Sequence, residues 1–422
     1  MDYPKVDLDC DAQTFQTICR IFSTDKPFMR QPLDRFSERA GRFRESVIRG
    51  MSIEAAKYGA LNLAQGFPDF PAPDALKQAA CDAIMADVNQ YAITWGDKAL
   101  RAAIASKYDW HQGIQVDPET QLTVVCGATE AMIVALTAII NPGDEVIITQ
   151  PFYENYWPDC VLTGATPRFV CVKPPLWRLD LNELESAFNE KTKALILCNP
   201  SNPTGTVLTS DEIQAVADLC KRHNTIVIMD EIYEHILYDG RKHISMAAVD
   251  GMDELAIVIS GMSKTYAVTG WRIGTILASP ELTKRMRQVH DFVTIGAAAP
   301  LQRAGVVAYH FDQDYYTRLA EGYQRRRDFF CDALKQAGLP FNQPEGAYYV
   351  MADISSFGFA NDREAALSLV RDAKVAGVPG SSFYLNQTGG DHWIRFCFCK
   401  REETLTAAAQ KLIEFAGTRA AI

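Results

Sequence analysis

The residues with the clearest chemical potential sit in one short run, Ser260-Gly261-Met262-Ser263-Lys264-Thr265-Tyr266, which continues to Trp271-Arg272-Ile273-Gly274. A lysine among small hydroxyl residues, with an arginine eight residues later, suits a buried amine nucleophile beside an anion site. Desolvation lowers the proton affinity of such a lysine and readies it to form a Schiff base. Taken alone, a lysine reads more simply as a surface residue. A second run, Met229-Asp230-Glu231-Ile232-Tyr233, puts a carboxylate directly after an apolar stretch. A buried carboxylate calls for a cation or a protonated heterocycle, and an N-cap or a structural ion pair is the plainer alternative. Tyr233, three residues on, shares one side of a turn with Asp230.

Two further runs complete the set. In Cys126-Gly127-Ala128-Thr129-Glu130-Ala131-Met132 an apolar segment passes through small residues into a helix. Free N–H groups at such a helix start make a phosphate site, although an ordinary turn has the same composition. In Asn199-Pro200-Ser201-Asn202-Pro203-Thr204-Gly205, two prolines stiffen a loop that presents two amides, more specification than a plain turn needs. A phosphate cradle, an arginine, an acid for a ring nitrogen, phenol and amide donors and a lysine for an aldehyde are the groups that pyridoxal phosphate requires.

The elements that must position these residues are legible as alternating runs. Short apolar segments at Leu122–Cys126, Glu145–Thr149, Arg168–Val172, Ala194–Cys198, Thr225–Met229, Ala256–Ser260 and Ile273–Ala278 predict strands. Amphipathic stretches such as Leu181–Phe188 and Asp211–Arg222 lie between them. Runs apolar on both faces that alternate with helices predict an α/β fold, with a mainly parallel seven-stranded sheet covered by helices on both sides. The four chemical runs fall at the carboxyl ends of these strands, where open α/β sheets bind ligands. After residue 310 a long polar helix near Tyr315–Ala337 leads to GAYYVMADIS, HWIRFCFCK and a last helix over Glu402–Phe415, the pattern of a smaller α+β domain. The expected division is an N-terminal extension over 1–40, a segment over 41–62 that joins the small domain, a large cofactor-binding domain over 63–310 and a small C-terminal domain over 311–422.

Composition excludes several classes. With 42 Lys and Arg against 52 Asp and Glu, a net charge of −10 and no basic stripe, a nucleic-acid partner is not expected. The longest apolar run, Met132–Ile140, is far shorter than the ~18–20 residues of a membrane span. The acidic opening MDYPKVDLDCDAQ is unlike a secretory signal. Eleven scattered cysteines without a CxxC pair predict free thiols in a reducing, cytoplasmic compartment, and no metal is expected.

On these motifs, residues 40–416 resemble the class I pyridoxal-phosphate aminotransferases (fold type I), in the branch of kynurenine, methionine and some aspartate aminotransferases. The resemblance implies that Lys264 forms the Schiff base, that Asp230 pairs with the pyridinium nitrogen, and that Tyr233 and Asn202 bond the ring's phenolic oxygen. It implies a phosphate held by Gly127, Ala128, Thr129 and Arg272, together with a serine. The family often has that serine three before the lysine, where this chain has Gly261, so Ser260 or Ser263 must substitute. Tyr153 matches an aromatic ring stacked on the cofactor, with core packing as the alternative. Tyr91 matches a tyrosine that reaches the phosphate of a neighbouring subunit, which implies a homodimer with shared sites. For the substrate, Arg395 matches a carboxylate-binding arginine and Gly66 a glycine whose backbone contacts the same carboxylate; Asn202 is expected to contact the substrate as well, and Ile48 to line the pocket mouth. The implied reaction moves the amino group of an L-amino acid to a 2-oxo acid through the amine form of the cofactor. A C–S β-lyase, or another reaction that begins by removing the α-proton, is the alternative on the same fold. Thr129, Ala297 and Ala298 depart from the residues of aspartate-specific and aromatic-preferring relatives, which leaves a small, aliphatic or specialised donor open.

Overall fold

In the computed structural model the expected apolar runs pair side by side. A two-residue strand, β1 (Leu61–Asn62), comes first in the chain. The next seven form the main sheet: β2 (Leu122–Val125), β3 (Glu145–Gln150), β4 (Thr166–Cys171), β5 (Thr192–Cys198), β6 (Ile226–Asp230), β7 (Ala256–Gly261) and β8 (Gly274–Leu277). Each of the seven expected strands is present, its ends shifted by at most two residues. The order is β2-β8-β7-β6-β5-β3-β4. Strands β3 to β7 run parallel, whereas β8 is antiparallel to both of its neighbours.

Two-sided burial explains why the strands read as continuous apolar runs. Along β5, Ala194 and Ile196 face the layer of the helix Gly127–Ile139, while Leu195 and Leu197 face that of the helix Ser210–His223. Alternation of side chains across a strand does this automatically, so every position from 194 to 197 must be apolar. The helix Ser210–His223 is delimited locally: Thr209 and Glu212 form a capping box, and Asn224 ends it at φ 49°.

Beyond residue 310 a 24-residue helix, Gln313–Gln336, leads to β9 (Tyr349–Asp353), β10 (Val375–Ala376), β11 (Val378–Pro379) and β12 (Trp393–Cys397). Strands β11, β12 and β9 make an antiparallel sheet, and β10 pairs in parallel with β1. Leu61 and Asn62 are thereby tied to the C-terminal part of the chain. The structure describes residues 37–385 and 389–420. Residues 37–43 are irregular, with turns and bends, and lie outside the unit that begins at Arg44. Most of the extension expected over 1–40 lies outside the described residues.

Register brings the chemical runs together. Cys198 pairs with Asp230, and Asp230 with Ile259, so the segments that follow β5, β6 and β7 leave the sheet at one edge. Because β8 is reversed, its first residue reaches the same edge: Gly274 pairs with Gly261 and with Val125. Arg272 therefore arrives beside the start of the helix Gly127–Ile139, although 145 residues separate Arg272 from Gly127.

Candidate active site

Lys264 sits on a four-residue helical turn, Met262–Thr265, directly after β7. Its Nζ lies 3.4 Å from the Gly66 carbonyl oxygen and 5.9 Å from the ring centres of Tyr233 and Tyr348. Burial holds its proton affinity down, at a pKa of about 8, against the raising effect of Asp230 and a nearby thiol. Gly261 is explained by space. A Cβ there would stand 2.6 Å from the Ile273 carbonyl oxygen, where β7 and β8 leave the sheet.

The two candidate serines part company. Ser260 points to a second buried cluster and donates to Glu234 Oε1 at 2.5 Å. Ser263 lies one residue before Lys264, buried on the same turn. In that second cluster, ligand-capable atoms of His111, Glu234 and His235 lie within 4.8 Å of one another. The Lys107 ammonium already rests on the Glu234 carboxylate, which makes this an internally neutralised group.

Asp230 closes β6 with its carboxylate buried. Tyr156 donates to Oδ2 at 2.7 Å and the Ile232 N–H to Oδ1 at 3.3 Å. Burial raises its pKa, because the pocket supplies two hydrogen bonds but no ion pair, and a protonated ring nitrogen would supply the missing charge. Tyr156 was not among the residues expected. It lies one helical turn after Tyr153, whose half-buried ring meets it edge-on at 5.8 Å. Burial lifts the Tyr153 phenol to about 12, so both stay neutral donors. Tyr233 shares a 3.1 Å hydrogen bond with Tyr349, also missed; tyrosines fill cores as readily as sites, and β9 gave no separate signal.

At the other end of the pocket two backbones nearly touch. A Cβ on Gly274 would lie 2.4 Å from the Gly127 carbonyl carbon, and one on Gly127 would lie 2.2 Å from Arg272 Nη2. The helix Gly127–Ile139 begins here with Ala128 half-buried and Thr129 exposed, and its first N–H groups have no partner within the helix. A helix start, a guanidinium and two glycines leave a small, positive cradle for a phosphate. Arg395, on β12, is fully buried with neutral partners: Nη1 donates to Asn202 Oδ1 and Nη2 to the Ala64 carbonyl, each at 2.7 Å, while Nε has none. The Arg395 guanidinium packs 4.3 Å from the Tyr349 ring centre. Gly66 is a glycine by necessity, since a Cβ would fall 2.0 Å from the Tyr349 hydroxyl. Ile48, half-buried, donates its N–H to Glu154, the residue after Tyr153. Tyr91 stands apart, 84% exposed.

A carboxylate short of a cation, an amine that loses its proton easily and a cradle cut to a phosphate fit pyridoxal phosphate from three directions. With the reversed β8 strand in a seven-stranded sheet, they define a fold type I enzyme dependent on that cofactor. The particular family follows from comparison: residues 58–412 match the model of aminotransferase class I and II, and the chain belongs to that family. It is 36% identical over 377 residues to a probable N-succinyldiaminopimelate aminotransferase of Mycobacterium tuberculosis, covering 87% of this chain and 95% of that one. It is 35% identical over 393 residues to human kynurenine–oxoglutarate transaminase 1, covering 85% and 93%. The crystal structure of an Escherichia coli methionine aminotransferase superposes with a TM-score of 0.87 at 34% identity, over 90% of this chain and 99% of that one. The chain is a transaminase, and these relatives favour amino-group transfer over the lyase alternative. No helix among the described residues is long and apolar enough to cross a membrane.

Proposed function

We propose that the chain moves the amino group of an L-amino acid with an uncharged side chain, methionine first, to a 2-oxo acid, as a cytoplasmic homodimer. The observation that carries this reading is Arg395: a buried guanidinium with neutral partners and an open Nε, joined through Asn202 to the loop that follows β5. Such a group requires an anion, and the α-carboxylate is the anion common to all donors.

When bound, pyridoxal phosphate supplies an aldehyde that holds the amino group and a ring that accepts the electrons of the α C–H bond. Lys264, whose amine is readily deprotonated, would serve as the base and acid that moves the substrate α-proton. Asp230, steadied by Tyr156, would keep the ring nitrogen protonated; Tyr233 and Asn202 would supply donors to the ring oxygen, and Tyr153 would cover the ring. Gly127, Ala128, Thr129, Ser263 and Arg272 would hold the phosphate. Residues 63–310 serve as the cofactor-binding part. The segment 41–62 joins 311–422 as the smaller part, a division supported by the β1–β10 pairing.

The homodimer is supported by an apolar surface around Tyr91 and Phe292, exposed at 84% and 93%. His290 Nε2 lies 2.8 Å from the Thr94 carbonyl, which joins these two segments. The cysteines among the described residues are free, which suits a reducing compartment. Exposed Thr129 and small Ala297 and Ala298 offer no cation for a second carboxylate, which supports an uncharged donor.

The test is a panel of amino donors against pyruvate, 2-oxoglutarate and glyoxylate, with the cofactor spectrum recorded. L-Methionine alone should convert the cofactor to its amine form, and a 2-oxo acid should restore it. Replacing Lys264 by Ala should abolish the lysine-linked absorption band and cut turnover by about 10²–10⁴-fold or more. Ammonia released without an acceptor, or aspartate outrunning methionine, would overturn the reading.

A further inference from the structure

The loop Ala64–Phe67 carries Gly66; the Phe67 N–H donates to the Gln65 carbonyl at 2.9 Å, Asn62 and Tyr348 hold other parts of the loop, and further contacts come from one later stretch of chain. Arg395 Nη2 donates to the Ala64 carbonyl at 2.7 Å, the Cys397 N–H to the Leu63 carbonyl at 2.8 Å and Cys397 Sγ to the Gln65 carbonyl at 3.4 Å. Lys400, 2% exposed, places its ammonium 2.8 Å from the Phe67 carbonyl and 3.4 Å from the Gln65 carbonyl, and 4.1 Å from the Phe67 ring centre. A lysine buried this deeply and engaged by carbonyls is uncommon, and it has no part in the mechanism above.

Peptide geometry gives it one. The Gln65 carbonyl and the Gly66 N–H belong to the same planar trans unit, so they point in opposite directions. Pulling the carbonyl toward Lys400 turns the N–H the other way. The Gly66 N–H has no acceptor among the described residues, whereas the next carbonyl, that of Gly66, accepts from Tyr348 at 2.8 Å and faces Lys264. An ammonium on a carbonyl also polarises its amide and strengthens the N–H as a donor.

We propose that Lys400 is a positioning residue for the substrate α-carboxylate. By fixing and polarising the Gln65–Gly66 peptide it aims the Gly66 N–H at the carboxylate that Arg395 binds. This rests on the assignment of Arg395 to that carboxylate. Because every donor and acceptor shares the carboxylate, the contribution of Lys400 is independent of the substrate side chain.

The experiment uses the holoenzyme and 4-methylpentanoate, a carboxylate without an amino group, whose binding is followed by the shift of the cofactor absorption band. Lys400→Met removes the donor, Lys400→Gln keeps a neutral one and Lys400→Arg restores the charge. Lys400→Met should weaken probe binding about tenfold, the scale of one charge-assisted hydrogen bond. KM should rise by a similar factor for methionine, alanine and leucine alike, with kcat changed far less. Lys400→Gln should be intermediate and Lys400→Arg near wild type. Unchanged probe binding and KM in Lys400→Met and Lys400→Gln would overturn the proposal, as would a kcat loss with KM unmoved. Should Lys400→Met fail to fold, the comparison of Gln with Arg decides. Arg395→Met is the control: if it leaves probe binding intact, the assignment of Arg395 fails, whereas its loss beside unaffected Lys400 variants fails the Lys400 proposal alone.

Discussion

At the scale of single residues, burial turns ordinary side chains into reagents. Lys264, Asp230 and Arg395 were legible because a charged residue inside an apolar run must have a reason to be there. Tyr156, Tyr348 and Lys400 were not, because their roles consist of partners far away in the chain, such as Asp230, 74 residues from Tyr156. Asp159 shows the same physics without a function. It lies buried on the helix Tyr156–Thr163, Oδ2 has no partner, and burial alone lifts its pKa from 3.8 to about 7. A folded-state pKa raised above the unfolded value means that the native state holds its proton longer. Stability from this group therefore falls as pH rises from about 4 to about 7, and the full cost remains above that. Asp159→Asn keeps the shape without ionising. It should stabilise the protein by up to about 4 kcal/mol above pH 7 and by little below pH 4. Urea denaturation at the two pH values measures this; equal effects at both would contradict it.

At the scale of elements, the site depends on where strands end and how closely they approach. The parallel strands β5, β6 and β7 deliver their following residues to one edge, and reversed β8 delivers Arg272 there. Strand existence was legible from two-sided apolar runs; strand order and the reversal of β8 were not, since neither leaves a periodic trace. Gly127 marks the tightest point, with φ +83° and Arg272 Nη2 2.2 Å from where a Cβ would stand. Gly127→Ala displaces the guanidinium and strains the backbone. Its expected result is pyridoxal phosphate affinity weakened by about tenfold or more, the loss of one charge-assisted contact, with circular dichroism unchanged. Equilibrium dialysis against the cofactor measures it, and wild-type affinity would show that the cradle tolerates a methyl group.

At the scale of the whole molecule, the net charge of −10 describes the bulk surface, while Lys264, Arg272 and Arg395 make the site positive. Local arrangement, not the total, selects an anionic ligand. The proposed dimer belongs to this scale, because Phe292 at 93% exposure and Tyr91 at 84% leave large rings in water. Phe292→Asp would place a charge in the proposed interface. On the proposed dimer, light scattering should then report monomers for the variant against dimers for wild type, together with weaker cofactor retention if Tyr91 of the second copy serves the site. A dimer that survives the substitution would move the interface elsewhere.

The sequence by itself determined the seven strands, the alternation with helices and the charged residues of the site, because two-sided burial and misplaced charge both leave marks along the chain. Only the tertiary structure decided that Ser260 turns to Glu234, that Tyr156 carries Asp230, and that Lys400 contacts the loop of Gly66. The physical reason is the same in each case. A hydrogen bond is set by the direction and distance of its partner, and those partners come together only when strands distant in sequence lie side by side.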